Sequence, residues 1–478
     1  MHLDAKTALA RLMGAVGIPP QVAHIQLSGD DSSVASPHRL PTAMGVAIAA
    51  QAACIAEIWR QRTGRLQDVS VDLQAAGHAL NPADFLKQNG YPVTIRFGFP
   101  EPGHGFFRAK QGRLIFMAHS SPRLRNGLLD VLQCANTKPN IALAVGTWEA
   151  QALEAVCQEK GLPLTMVRTP EEWRAHPHGR LLTAKPVIEI ERIRDGQPIP
   201  FYEARRPLGD IRVLESTHIL AGPGIGRCLA EHGADVLRIS PPRNTDPINF
   251  MIDTGFGKRA AFLDLDQPDD IDRFKNLAAS CDVVVQSLRP GSLERRGLGC
   301  ADLAAESPGL VYVSVSCYGL EQGPWSRYVG YDPVAQSATG ICSVEGGSDG
   351  PRVVGPTLLA DYLTAYLGAF GALAALLRRA REGGSYHVRI SLAQTCMWVQ
   401  DLGRRAPDGA YRSKEANAGN APRILCMESP FGELHYLAPV AQFSETPAYW
   451  ATPPVPLGAS RAEWLRDGDP STRHPATR

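Results

Sequence analysis

The residues best suited to chemistry in this 478-residue chain concentrate between positions 213 and 297. Val213-Leu-Glu-Ser-Thr-His-Ile-Leu-Ala-Gly-Pro-Gly-Ile-Gly226 reads as a strand, a glycine turn and a helix. Glycines let a backbone approach a phosphate, and a helix N-terminus offers free N–H groups to an anion. Gly222, Gly224 and Gly226 do not space as G-x-G-x-x-G, and the next strand ends in Ser240 where an NAD site wants an acid. Arg238 and Arg243 flank that position instead and suit a phosphorylated ribose. A structural βα turn with solvated arginines accounts for the same residues equally well. Gly257-Lys258-Arg259 and Ser287-Leu-Arg-Pro-Gly-Ser-Leu-Glu-Arg-Arg-Gly297 add further basic turns beside short strands. In a parallel α/β sheet such turns lie at the carboxyl edge, where ligands bind. Several so close together imply a phosphate-rich ligand.

The elements that must position these turns alternate. Ile211–Leu214, Asp235–Ile239, Asp282–Gln286 and Leu310–Val315 read as short strands separated by helical stretches. That alternation predicts βαβ units and an α/β fold, a Rossmann-like parallel sheet forming a large domain beside a smaller α/β domain. Three segments follow: 1–205, a partial N-terminal repeat that includes the small domain (about 80–190); 206–400, the Rossmann-like ligand-binding and catalytic domain; and 401–478, a return segment and flexible tail. One internal repeat is visible. A shift of 319 residues carries Ala56, Arg60, Gly64, Val69 and Leu73 onto Ala375, Arg379, Gly383, Val388 and Leu392. Each copy reads as an Ala-rich helix, a glycine turn and a strand.

Composition narrows the classes. Lys plus Arg is 49 against 48 Asp plus Glu, and a net charge of +1 supports neither a nucleic-acid nor a membrane-surface partner. The apolar stretches Gly45–Trp59 and Tyr366–Leu377 are short for a bilayer span and read as buried helices. Ten scattered cysteines without a C-x-x-C pair fit a reduced, cytoplasmic setting, as does an N-terminus without a signal-like apolar core. His176 and His178, without a third ligand, read as surface histidines, and no metal is expected. Trp148 and Trp173 read as small-domain core.

Six spaced motifs within roughly 207–395 resemble the family III CoA-transferases, the group that includes formyl-CoA transferase, carnitine CoA-transferase and the α-methylacyl-CoA racemases. They are RVLESTHILAGPGIGRCLAEHGADVLRI, GKRAAFLDLD, DVVVQSLRPGSLERRGLG, LVYVSVSCYGLEQGPW, GYDPVAQSATGI and the stretch VVGPTLLADYLTAYLGAFGALAALLRRAREGGSYHVRISLAQ. The resemblance implies that Asp361 is the acyl carrier in moving CoA from an acyl-CoA to a free carboxylic acid. It also implies CoA contacts at Leu220, Ala221, Arg243, Lys258, Arg259, Ser287, Leu288, Arg295 and Tyr331. CoA esters are then substrates, no cofactor is needed, and a homodimer is expected. Ser240 and Ser287 depart from the acid and Asn commoner in the family. Tyr331 stands where the racemases resemble Gly-His-Asp, and a phenol near pKa 10 is a poor base at neutral pH, which favours transferase over racemase or isomerase. A non-catalytic CoA-ester-binding protein is the third reading and a nicotinamide dehydrogenase a distant fourth. Asp332 reads as a turn acid.

The order of parts is rearranged. Residues 1–205 resemble the family's later segment, with Thr42 at the repeat position of Asp361, so the first copy is expected to be dead in acyl transfer. Gly98–Gly105 is a weak counterpart of the family's glycine loop. The helix–strand units 55–73 and 374–392 are expected to pack together, making residues 1–205 an integral part of the large domain.

Overall fold

A computed structural model describes residues 3–93, 101–119, 121–244, 246–319, 323–355, 358–405 and 421–465. Apolar and β-branched runs, suited to a pleated surface buried on both faces, build the central sheet. Its strands in chain order are β1 (Ile188–Arg194), β2 (Arg212–Ser216), β3 (Asp235–Ser240), β4 (Lys258–Phe262), β5 (Val283–Gln286), β6 (Val311–Ser316) and β7 (Ser385–Ser391). They lie in the order β4-β3-β2-β5-β6-β7-β1. The first six are parallel, and β1 closes one edge antiparallel to β7. Without β1, this is the strand order of a doubly wound Rossmann-like sheet, whose chain direction switches between β2 and β5.

Helices cover the sheet. Ala221–Ala230 follows β2, and the 24-residue helix Leu359–Glu382 precedes β7. They approach closely because small residues meet: a Cβ on Gly224 would fall 2.5 Å from the Ala365 Cβ, and one on Gly368 would fall 2.5 Å from the Ile225 Cδ1. A second 24-residue helix, Leu40–Thr63, packs along Leu359–Glu382. Both are longer than their apolar stretches suggest and pass for membrane spans by length and hydropathy, yet both are buried within the chain. Their limits differ by the repeat shift at both ends. The strands after them part company: Asp68–Asp72 pairs with His24–Ser28 and Gln442–Phe443 in a separate sheet, whereas β7 joins the central one.

The small domain has its own antiparallel sheet, Gly105–Arg108, Leu114–Met117 and Leu164–Met166, covered by the helices Pro122–Leu132, Lys138–Gly146 and Ala150–Glu159. Phe107, Ile115, Leu128, Val145, Leu153 and Leu164 fill its core. Trp148 packs at that core's margin, while Trp173 belongs to the main core.

The segment 401–478 holds more structure than its weak periodicity suggests. The hairpin β8 (Ile424–Ser429) and β9 (Gly432–Leu437) pairs through β9 with the Lys87–Gln88 strand. The chain then runs along the β3–β4 side, where Trp450 donates to the Arg227 carbonyl (3.0 Å) and the Ser460 amide to the Ala260 carbonyl (2.8 Å). The tail from 467 onward lies outside the described residues.

Candidate active site

A cleft of about 620 Å³ opens where the carboxyl ends of β2, β3, β5 and β6 face the small domain. That volume lies within the usual range of small-molecule sites, about 300–1,000 Å³. Thr217 and His218, Ser240, Ser287 to Arg289 and Ser316 supply one side, and Arg123, Leu124 and Pro163 of the small domain the other. The switch point between β2 and β5 therefore lies in the cleft, where two loops must diverge and leave a crevice.

Asp361 lines this cleft in the first turn of Leu359–Glu382 and is buried. The backbone N–H groups of Ala360 and Asp361 donate to the Asp332 carboxylate, the latter at 3.2 Å. Asp332 thus caps the helix that presents Asp361, and its other oxygen accepts from the Gln336 amide. The neighbouring Tyr362 hydroxyl donates to Asp253 (2.8 Å), fixing the next residue of the same turn. Burial, reinforced by the charge of Asp332, pushes the Asp361 carboxyl well above the usual carboxylate range. Burial raises Asp332 to about 6, against the lowering effect of the amides it accepts. Asp332 is a buried capping acid, beyond the simple turn acid its sequence context suggests.

Six of the nine residues expected to contact CoA line the same cleft as Asp361: Ala221, Arg243, Ser287, Leu288, Arg295 and Tyr331. Arg243 is exposed and bridges Asp264 and Asp266. Ser287 accepts the His218 amide at its Oγ (2.9 Å), and the Leu288 amide donates to the Gln286 side chain (2.9 Å). Tyr331 is half-buried between the two cores. Leu220 is buried and does not line the cleft. Lys258 and Arg259 do not line it either, because they are strand residues of β4 and not part of a loop feeding it. The Lys258 amine donates to Glu215 (2.6 Å) and to the Pro223 carbonyl, and burial pushes it down to about 8. Arg259 forks onto Asp235 at 2.8 and 2.9 Å.

The cleft also holds groups that motif reading passed over. His218 places Nδ1 at 3.3 Å from Asp246, which is buried and paired with Arg238 at 2.7 Å. Burial alone would raise Asp246, but the His218 bond and the Arg238 charge outweigh it and hold the acid below its usual value. An imidazole braced by a carboxylate can exchange a proton with a ligand. It sits beside Ile219, whose φ of +62° is rare for a β-branched residue. Arg289, steadied by the Gly161 carbonyl at 3.2 Å, feels the like charge of Arg123 across the cleft. Neither arginine has a carboxylate partner among the described residues. The sequence signal was present in the SLRPG turn and the THI tripeptide, but the partners lie far away in the chain.

The surface reading of His178 is corrected. It is fully buried, hydrogen-bonded to the Tyr318 carbonyl (2.6 Å), and His176 stacks on Trp173 with ring centroids 5.5 Å apart. The Gly98–Gly105 loop lies partly outside the described residues. Thr42 is buried near the head of Leu40–Thr63, and its amide donates to Asp31 (2.8 Å), itself paired with Arg39. The first copy thus caps its helix with an acid, as the second does, but carries a hydroxyl where the second carries a carboxylate.

A family model described as CoA-transferase family III matches residues 208–456, just over half of the chain. An acyl-CoA transferase of Gibberella moniliformis is 35% identical over 366 residues, covering 66% of this chain and 63% of its own length. A succinyl-CoA–D-citramalate CoA-transferase of Chloroflexus aurantiacus is 34% identical over 199 residues, covering 39% of this chain and 49% of its own. The chain thus spans about half to three fifths of the length of these relatives. A solved CAIB/BAIF family protein from Brucella suis is 29% identical, with 40% of this chain and 55% of that one covered at a TM-score of 0.38.

Proposed function

Because the chain belongs to CoA-transferase family III, we propose that it moves CoA from an acyl-CoA to a free carboxylic acid, with Asp361 as the acyl carrier. The observation that carries this reading is a buried carboxylate at a helix head, lining a cleft with arginines on both sides. Ionised Asp361 attacks the thioester carbonyl, the C–S bond breaks, and CoA leaves as a thiolate from a mixed anhydride. The thiolate then attacks the aspartyl carbonyl, the donor acid departs as its carboxylate, and an aspartyl-CoA thioester remains. The acceptor carboxylate attacks that thioester and repeats the steps in reverse, so Asp361 is regenerated. Each step exchanges bonds at an acyl carbon, which splits one difficult exchange into easier ones and asks for no redox group.

Cations along the cleft suit the CoA phosphates. Arg243 and Arg295 stand for the adenosine end, Arg123 and Arg289 add two charges that lack carboxylate partners among the described residues, and His218 offers a braced proton donor. Lys258 and Arg259 have no part in this reading, since their charges are already committed inside the sheet.

Incubation with an acyl-CoA and hydroxylamine should convert Asp361 to a hydroxamate, seen as a peptide mass shift. Asp361→Asn should lose acyl-CoA and acid exchange by about 10³-fold or more while still binding CoA. Full exchange by Asp361→Asn would refute the role. Deuterium exchange at the α-carbon without acid exchange would mark a racemase instead.

A further inference from the structure

The β8–β9 hairpin carries a donor set that the transfer chemistry leaves unused. In its register Cys426 faces His435 and Glu428 faces Glu433. Strand alternation puts all four on one face, the face opposite buried Leu434 and Tyr436. Ligand atoms of Cys426, Glu433 and His435 lie within 4.8 Å of one another, the one such group of three His, Cys, Asp or Glu donors found among the described residues. His435 Nε2 is already 3.0 Å from a Glu433 oxygen. Cys426 is the exposed one of ten unpaired cysteines.

We infer that this face binds a single zinc ion through Cys426 Sγ, His435 and Glu433, with water completing a tetrahedron. Thiolate, imidazole and carboxylate are the donors zinc takes. Its bond lengths require donor separations of roughly 3.3–3.7 Å, the longer ones to sulfur, within reach of small side-chain rotations from the present spacing. The register supplies an independent argument. Glu428 and Glu433 stand directly opposite each other, and like charges at such a cross-strand pair are destabilising. A divalent cation beside them converts that repulsion into attraction. A cysteine thiol ordinarily keeps its proton at neutral pH. Cys426 therefore enters the site protonated, and binding must release its proton to solvent: S–H becomes S–Zn as H⁺ leaves. The ion would clamp edge strand β8 to β9, which is tied to the main core through Tyr436 packed at a tilt against Phe256, ring centroids 4.3 Å apart. The role is structural, on residues that do not line the Asp361 cleft, and independent of the transfer reading.

The test is cobalt titration of the full chain followed by zinc displacement. One equivalent of Co²⁺ should give an intense thiolate-to-cobalt band in the near ultraviolet that zinc abolishes, with a proton released per ion. Cys426→Ser should remove the band, and His435→Ala or Glu433→Gln should weaken binding at least tenfold. Zinc should raise the melting temperature of the parent chain and not of Cys426→Ser. Absence of a thiolate band, its persistence in Cys426→Ser, or equal zinc affinity in all variants would overturn the site.

Discussion

At the scale of single residues the decisive feature is the pair of acids at the head of one helix. Asp332 caps the turn that holds Asp361, so the group that orients Asp361 also repels its charge. This has a pH signature. The exchange rate should fall on acidification with a midpoint clearly above the ordinary carboxylate value of about 4. That limb belongs to the pair and not to either acid alone. Asp332→Asn keeps an oxygen to accept the capping amides but removes the charge, so its limb should move to lower pH. Stability obeys the same linkage. The folded chain holds the Asp361 proton more tightly than the unfolded chain does, so it loses stability as pH rises from about 4 through the raised pKa. Asp361→Asn should not show that loss, and its melting temperature should exceed the parent's by about 2 °C or more above neutrality. A rate profile with a midpoint at pH 4, unmoved by Asp332→Asn, would contradict the coupling.

At the scale of elements the cleft depends on how closely the Ala221–Ala230 helix approaches Leu359–Glu382. Gly224 faces Ala365 with no room for a side chain. Valine there must push the helices apart, and with them Ala221 and Asp361, which line the same cleft. Overpacking of this kind costs about 1–3 kcal/mol. Gly224→Val should therefore lower the urea midpoint and weaken CoA binding together. Gly14, within the Ala5–Ala15 helix with open space around its Cβ position, is the comparison. Gly14→Ala should gain about 0.5–1 kcal/mol and leave binding unchanged. If Gly224→Val loses stability yet keeps full CoA affinity, the helix pair does not set the cleft.

At the scale of the whole molecule the chain's first 205 residues are woven into the rest. β1 forms the edge of the central sheet beside β7, the Leu40–Thr63 helix covers Leu359–Glu382, and Asp68–Asp72 takes Gln442–Phe443 from the far end of the chain. The linker side is locked as well: Arg62, buried in the first segment, donates to the Pro207 carbonyl (2.7 Å) and pairs with Asp210. Expressed alone, residues 206–478 would expose the face of a long Ala- and Leu-rich helix and a bare sheet edge. That fragment should aggregate, as light scattering would detect. A soluble monomer with full CoA affinity would show the first segment to be an appendage.

The sequence by itself determined the sheet strands, the parallel character, the two Ala-rich helices and the position of Asp361. These rest on local signals: β-branched runs, glycine turns, small-residue helices and contiguous motifs. It also showed a repeat whose helices the fold sets side by side. It did not tell which basic residues reach solvent. Gly257-Lys258-Arg259 reads as a loop, but in the structure Lys258 already belongs to β4, and the low dielectric of the interior commits its charge to Glu215. His178 resembles a surface histidine until the fold brings the Tyr318 carbonyl to it. The His218–Asp246 contact, the like charges of Arg123 and Arg289, and the Cys426–His435 pairing depend on strand order, domain placement and register. The raised pKa of Asp361 belongs with them. A carboxyl's pKa depends on what surrounds it, and only the tertiary structure removed the water and set Asp332 beside it.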